Sequence, residues 1–208
     1  MEALSKSIAE TISNKLQYDS DKKAVIAYGL SAIFQMVTIF VITSVIGLAG
    51  GFWIESMVIF LSVGILRKST GGAHSQTFQA CLIISIFSIS LLSFLSSYIL
   101  PVNTTNIYIV AVILLVFLVS FIFIYKLAPV DSPAKPIVKK EKIIRLRKNS
   151  IATLLVYLAI ALICFYFSSI IPFLLKISIS LCFATLWQVF TLTKPGHRTI
   201  AAIDKKFK

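Results

Sequence analysis

Of 208 residues, 58% are hydrophobic and 13% charged, and the mean hydropathy is +0.93. Soluble domains carry about 25% charged residues, so a cytosolic globule is excluded, and the apolar excess excludes a disordered chain. Twenty Lys and Arg against eight Asp and Glu give a net charge of +12, but these cations sit in short connectors between apolar runs, which disfavours a nucleic-acid partner.

The pattern is that of one all-α integral membrane domain over residues 1–208, since only a helix satisfies its own backbone amides inside lipid. In chain order, Leu4, Ile8, Ile12 and Leu16 recur every four positions among polar residues. This spacing predicts an N-terminal amphipathic helix over residues 1–20, lying on the membrane surface as an interfacial helix or packing on the cytosolic loops. It lacks the basic start and apolar core of a cleaved signal peptide.

Six transmembrane helices are then predicted, over about 25–48, 52–66, 78–100, 107–125, 150–171 and 173–192, because each run approaches the roughly 20 residues a bilayer requires. The second is short and holds Glu55. The sixth holds Lys176, whose long stem can carry its ammonium to the interface. Of the 20 basic residues, all but Lys176 fall at the two ends of the chain, between Arg67 and Gln76, or between Lys126 and Asn149. The positive-inside rule therefore puts both termini and two loops in the cytoplasm.

Candidate chemistry is sparse. There are two histidines, His74 and His197, and no metal-binding spacing, so neither a metal nor another cofactor is expected. Cys164 and Cys182 fall inside predicted spans, where a thiol is usually an apolar filler. Cys81 lies about one turn into the third span, near the cytoplasmic interface, where free helix amides favour an anion. His74 precedes it by seven residues, in a stretch from Arg67 to Thr77 rich in Gly, Ser and Thr that reads as a loop. On an unbroken helix the two would stand about 10 Å apart along the axis, so a break is needed, with Ser75 or Thr77 capping the span. The pair would then be a nucleophile and its general base; the alternative is an interface histidine beside a packing cysteine. Gln79, Asp131 and Ser75 are candidates to orient His74.

Arg67-x-x-x-x-Gly72-x-His74 followed by Cys81 at the opening of a span resembles the AgrB accessory gene regulator membrane peptidases of Gram-positive quorum sensing. The stretch Ala128-Pro129-Val130-Asp131, with Lys135-Pro136 after it, is similar to a second segment of that family. The resemblance implies a homodimeric cysteine endopeptidase of the cell membrane. It would remove the C-terminal tail of an AgrD-like propeptide on the cytosolic side and help close a thiolactone or lactone ring. Cys81 matches the nucleophile, His74 the base, and Arg67 and Gly72 the loop positions that support them. Lys135 and the other cations between Lys126 and Lys148 suit anionic membrane lipids, an acidic propeptide tail, or both. A small multi-pass transporter is the rival reading, disfavoured by the scarcity of ionisable groups within the spans. A non-catalytic scaffold would leave Cys81 and His74 unexplained.

Overall fold

The computed structural model describes residues 2–73, 75, 77–99, 107–131 and 139–207. His74, Gln76, Lys135 and the connector at 101–106 lie outside the described residues. Among those described, regular structure is helical, apart from one isolated parallel bridge between Gly71 and Val130.

Helix α1 (Glu2–Leu16) folds back on α2 (Ser20–Gly50) as an antiparallel hairpin. Ser5 meets Ser31 with hydroxyls 2.6 Å apart, and Lys23 Nζ donates to Glu10 Oε1 at 2.6 Å. The face of α1 that packs is the small one, Ser5, Ala9 and Ser13, while Leu4 and Leu16 stay exposed. Short side chains let the two backbones approach, which outweighs burial of the bulkier stripe. Helix α2 starts five residues before the expected span, because Asp19 caps it by accepting from the Lys22 amide at 2.8 Å. At 31 residues it is about 46 Å long, well beyond a hydrocarbon core of about 30 Å.

Helix α3 (Trp53–Thr70) runs four residues past the expected span end, so Arg67 to Thr70 are helical and not loop. The hydroxyls of Ser69 and Thr70 donate back to the Leu66 carbonyl, and the helix stops only at Gly71, where φ is +69°. Helix α4 (Phe78–Phe94) continues into a π turn over Leu95–Ile99. Helix α5 covers Ile107–Leu127. Helix α6 (Lys140–Phe167) begins ten residues before the expected span, so the basic run from Lys140 to Lys148 is its first turns and not a connector. Charged residues with good helix propensity extend a helix readily once it leaves the lipid. Helix α7 covers Phe173–Leu192, and it is followed by α8 (Lys194–Asp204), a helix that the spacing of apolar residues did not predict. Thr193 caps α8 by accepting from the Gly196 amide at 3.2 Å, with Pro195 in the first turn.

Among the described residues five helices, α2, α4 with its π turn, α5, α6 and α7, are long and apolar enough to cross a membrane. Helix α3, the expected second span, falls short on apolarity because it carries Glu55, Arg67 and Lys68 within 18 residues. Its position explains this composition: α3 packs against α2, α4, α6 and α7 and buries Glu55, Ser56, Ser62, Ser69 and Thr70. Glu55 and these hydroxyls lie on the face turned into the bundle, where polarity is tolerated, while Leu61 and Ile65 on the other face are 55% and 54% exposed. Outward faces are apolar, with Phe87 65%, Leu118 59% and Ile163 57% exposed. The chain is a helical membrane protein.

Between helices, small polar groups replace the hydrophobic force that lipid does not supply. Tyr157 on α6 donates to the Ser62 carbonyl on α3 at 3.0 Å, and Ser178 on α7 donates to the Ala161 carbonyl on α6 at 2.9 Å. Leu66, Phe117, Leu154, Leu181 and Val189 form the main apolar core, and Cys182 is packed among them. That burial agrees with the filler role read from the sequence.

Candidate active site

The site is built where α3 ends and α4 begins. Gly71 lies against Val130, whose amide donates to the Thr70 carbonyl at 2.8 Å. A Cβ on Gly71 would stand 2.2 Å from the Val130 carbonyl oxygen, and one on Gly72 (φ +135°) would stand 2.7 Å from Thr191 Oγ1. Both glycines therefore serve positive φ and close approach at once. The Arg67 guanidinium reaches forward to donate to the Ala73 carbonyl, and the Ala73 amide donates to the Thr191 carbonyl at 2.9 Å. Gln188 Nε2, fully buried on α7, bridges Thr70 Oγ1 at 2.8 Å and the Gly71 carbonyl at 2.7 Å.

On the far side of the loop, Thr77 occupies the position preceding α4, with an extended backbone and no side-chain bond to its own helix. Its carbonyl accepts from the Cys81 amide at 3.2 Å, so Cys81 sits in the first turn of α4, as expected. The thiol is partly exposed and unpaired in any disulfide. It faces a cavity of about 20 Å³ shared with Arg67, Ala73, Ser75, Trp187 and Thr191. That volume holds about one water molecule, so a peptide must displace part of the wall to reach the sulfur. A partly buried cation and a thiol share this narrow space, an arrangement suited to nucleophilic attack with stabilisation of the negative charge that develops.

Of the residues proposed from sequence, Arg67, Gly72, Ser75 and Cys81 are brought together. The Ala128 to Asp131 stretch docks through Val130 on the Thr70–Gly71 end of the loop and is held from behind by Arg147 Nε, which donates to the Ala128 carbonyl at 2.9 Å. Asp131 is exposed at the edge of this segment, and Gln79 is exposed on α4 and does not line the cavity. His74 and Lys135 lie outside the described residues.

Four contributors were missed: Trp187, Gln188 and Thr191 on α7, and Asp204 at the end of α8. Gln188 had a signal, since an amide in the middle of an apolar run is costly unless it is used. Asp204 had one as well, being an acid among lysines after the last span.

The accessory gene regulator B family model matches residues 5–192. The chain belongs to the accessory gene regulator B family. A provisionally named AgrB-like protein 2 of Clostridium perfringens (strain 13 / Type A) is 32% identical over 208 residues, covering 98% of this chain and 96% of that protein. An AgrB-like protein of Clostridium acetobutylicum is 25% identical over 163 residues, covering 78% and 75% respectively. No solved structure matches. Family membership supports a role in processing the peptide of agr quorum sensing.

Proposed function

We propose that this AgrB-family protein is a membrane-embedded cysteine endopeptidase that cuts the C-terminal tail from an AgrD-like propeptide. His74 takes the Cys81 proton, the thiolate attacks the scissile carbonyl, and His74 returns the proton to the leaving amine. Arg67, in the same cavity, offsets the oxyanion charge. The core peptide is left as a thioester on Cys81. An internal cysteine thiol or serine hydroxyl of the propeptide then displaces it, giving a thiolactone or lactone, and the narrowness of the cavity limits the access of water to the thioester. In this reading α3 is the sixth crossing, both termini are cytoplasmic, and the protein acts as a homodimer in the cell membrane.

The observation that carries the reading is the convergence on Cys81 of the Arg67 to Gly72 motif and the α4 N-terminus around one small cavity. The test is mass spectrometry of the protein incubated in lipid vesicles with a synthetic propeptide bearing an amphipathic helix, an internal cysteine and an acidic tail. Core peptide should be found on Cys81 through a hydroxylamine-sensitive bond. Cys81→Ala should lose adduct and cleavage together, Cys164→Ala and Cys182→Ala should keep both, and His74→Ala should slow acylation by roughly two to four orders of magnitude. Normal tail release by Cys81→Ala would sink the mechanism.

A further inference from the structure

Asp204 ends α8 and is 4% exposed. Its Oδ1 accepts from the Thr77 amide at 2.9 Å, from Thr77 Oγ1 at 2.8 Å, and from the Ser75 hydroxyl. An acid in the last turn of a helix opposes the dipole of that helix, and a buried carboxylate is costly, so Asp204 does not serve α8. What it serves is the start of α4. The Thr77 hydroxyl, which would ordinarily accept from an amide of its own first turn, donates to Asp204 instead, and the free amide end of α4 is met by a carboxylate from a different helix.

The bonds form a relay. Asp204 holds the Thr77 amide, and the Thr77 carbonyl accepts from the Cys81 amide at 3.2 Å. Asp204 also holds Ser75, the residue that follows His74 in the chain. It therefore fixes both Ser75 and Thr77, between the proposed base and the proposed nucleophile. Ile200, one turn earlier on α8, lines the Cys81 cavity, so the same helix closes the wall and sets the loop. Asp204 lies beyond the residues matched by the family model.

We infer that Asp204 is a positioning residue for catalysis: by clamping Ser75 and Thr77 it holds the start of α4, and with it Cys81, in place against the cavity. This inference rests on the peptidase reading above. A misplaced nucleophile lowers the rate of acylation more than it weakens capture of the propeptide.

The full-length protein in lipid vesicles, with the same synthetic propeptide, provides the test in single turnover. Asp204→Ala should lower the maximal acylation rate roughly 100-fold, as misplacement of about 1 Å does elsewhere, with the half-saturating propeptide concentration little changed. Asp204→Asn keeps an oxygen acceptor in place and should recover most of the rate. Thr77→Val, which removes one of the three bonds to Asp204, should lose part of the same rate, Thr77→Ser should largely restore it, and the Asp204→Ala, Thr77→Val double variant should be no slower than Asp204→Ala alone. The Thr77 pair decides the matter if Asp204→Ala does not fold. A wild-type maximal rate in Asp204→Ala, a loss confined to half-saturation, or additive losses in the double variant would overturn the inference. If Cys81→Ala still cleaves, or wild type does not, the peptidase reading fails and this inference with it. If Cys81→Ala is inactive while Asp204→Ala acylates normally, only the role of Asp204 fails.

Discussion

Glu55 on α3 and Lys176 on α7 meet inside the helix bundle, with Oε1 and Nζ 3.9 Å apart, and Lys176 also donates to Ser97 Oγ at 3.1 Å. These two charges made the second and sixth spans the least apolar of the predicted set. They answer each other, and Lys176 turns inward to this pair although its stem is long enough to reach the interface. Glu55 is buried and Lys176 about a quarter exposed, so removing the cation alone strands an acid in a poor solvent.

Lys176→Met should therefore destabilise the protein by roughly 1–3 kcal/mol, below the figure for a fully buried pair because Lys176 retains some solvent. Adding Glu55→Gln should recover much of that loss. Urea unfolding in detergent micelles gives the comparison, and a double variant as unstable as the sum of its singles would refute the pairing.

Gly71 and Gly64 make a contrast within one region. Gly71→Ala places a methyl 2.2 Å from a backbone carbonyl at a positive φ, whereas a Cβ on Gly64 meets nothing within 4 Å. Gly71→Ala should cost at least about 1–3 kcal/mol and depress cleavage, while Gly64→Ala in mid-helix should stabilise by about 0.5–1 kcal/mol. Thermal unfolding of the two purified variants checks the sign of each.

The topology carries a labelling test. With the native cysteines replaced, an impermeant maleimide applied to sealed cells should reach Trp53→Cys and Ser169→Cys, but not Lys68→Cys, Lys140→Cys or Lys205→Cys. Labelling of both Trp53→Cys and Lys68→Cys would show that α3 does not cross.

Acid should loosen the α1–α2 hairpin. The Lys23 ammonium, through its hydrogen bond and its charge, holds the Glu10 carboxyl below its ordinary value of 4.5. A lowered folded-state value means that this contact contributes above 4.5 and is lost as pH falls through the lowered value. The distance between fluorescent labels at Lys6 and Tyr28 should lengthen over that acid range, and Glu10→Gln should give the longer distance already at neutral pH. A pH-independent distance would show that the pair does not hold the hairpin.

The Gly71 to Cys81 stretch was legible as a break before α4 because its signals are local, glycines that permit a turn and an apolar run that fixes where α4 begins, whereas Arg67 to Thr70, read as loop, are the last turn of α3. Its walls were not legible. Gln188, Thr191 and Asp204 reach the loop from more than a hundred residues away, and nothing in their own neighbourhoods specifies that target.

Composition and the spacing of apolar runs by themselves determined an all-helical membrane chain and the approximate positions of α1 to α7, though not α8, because the cost of an unsatisfied amide in lipid acts on every residue independently of its partners. Tertiary structure alone decided which faces meet. Helix α1 packs by Ser5, Ala9 and Ser13, α3 turns Glu55 and its hydroxyls into the bundle, and α8 folds back to place Asp204 against Thr77. Hydropathy measures transfer of a residue from water to lipid, and none of these surfaces makes that transfer: each is exchanged for another part of the same chain, at a geometry that only the assembled bundle provides.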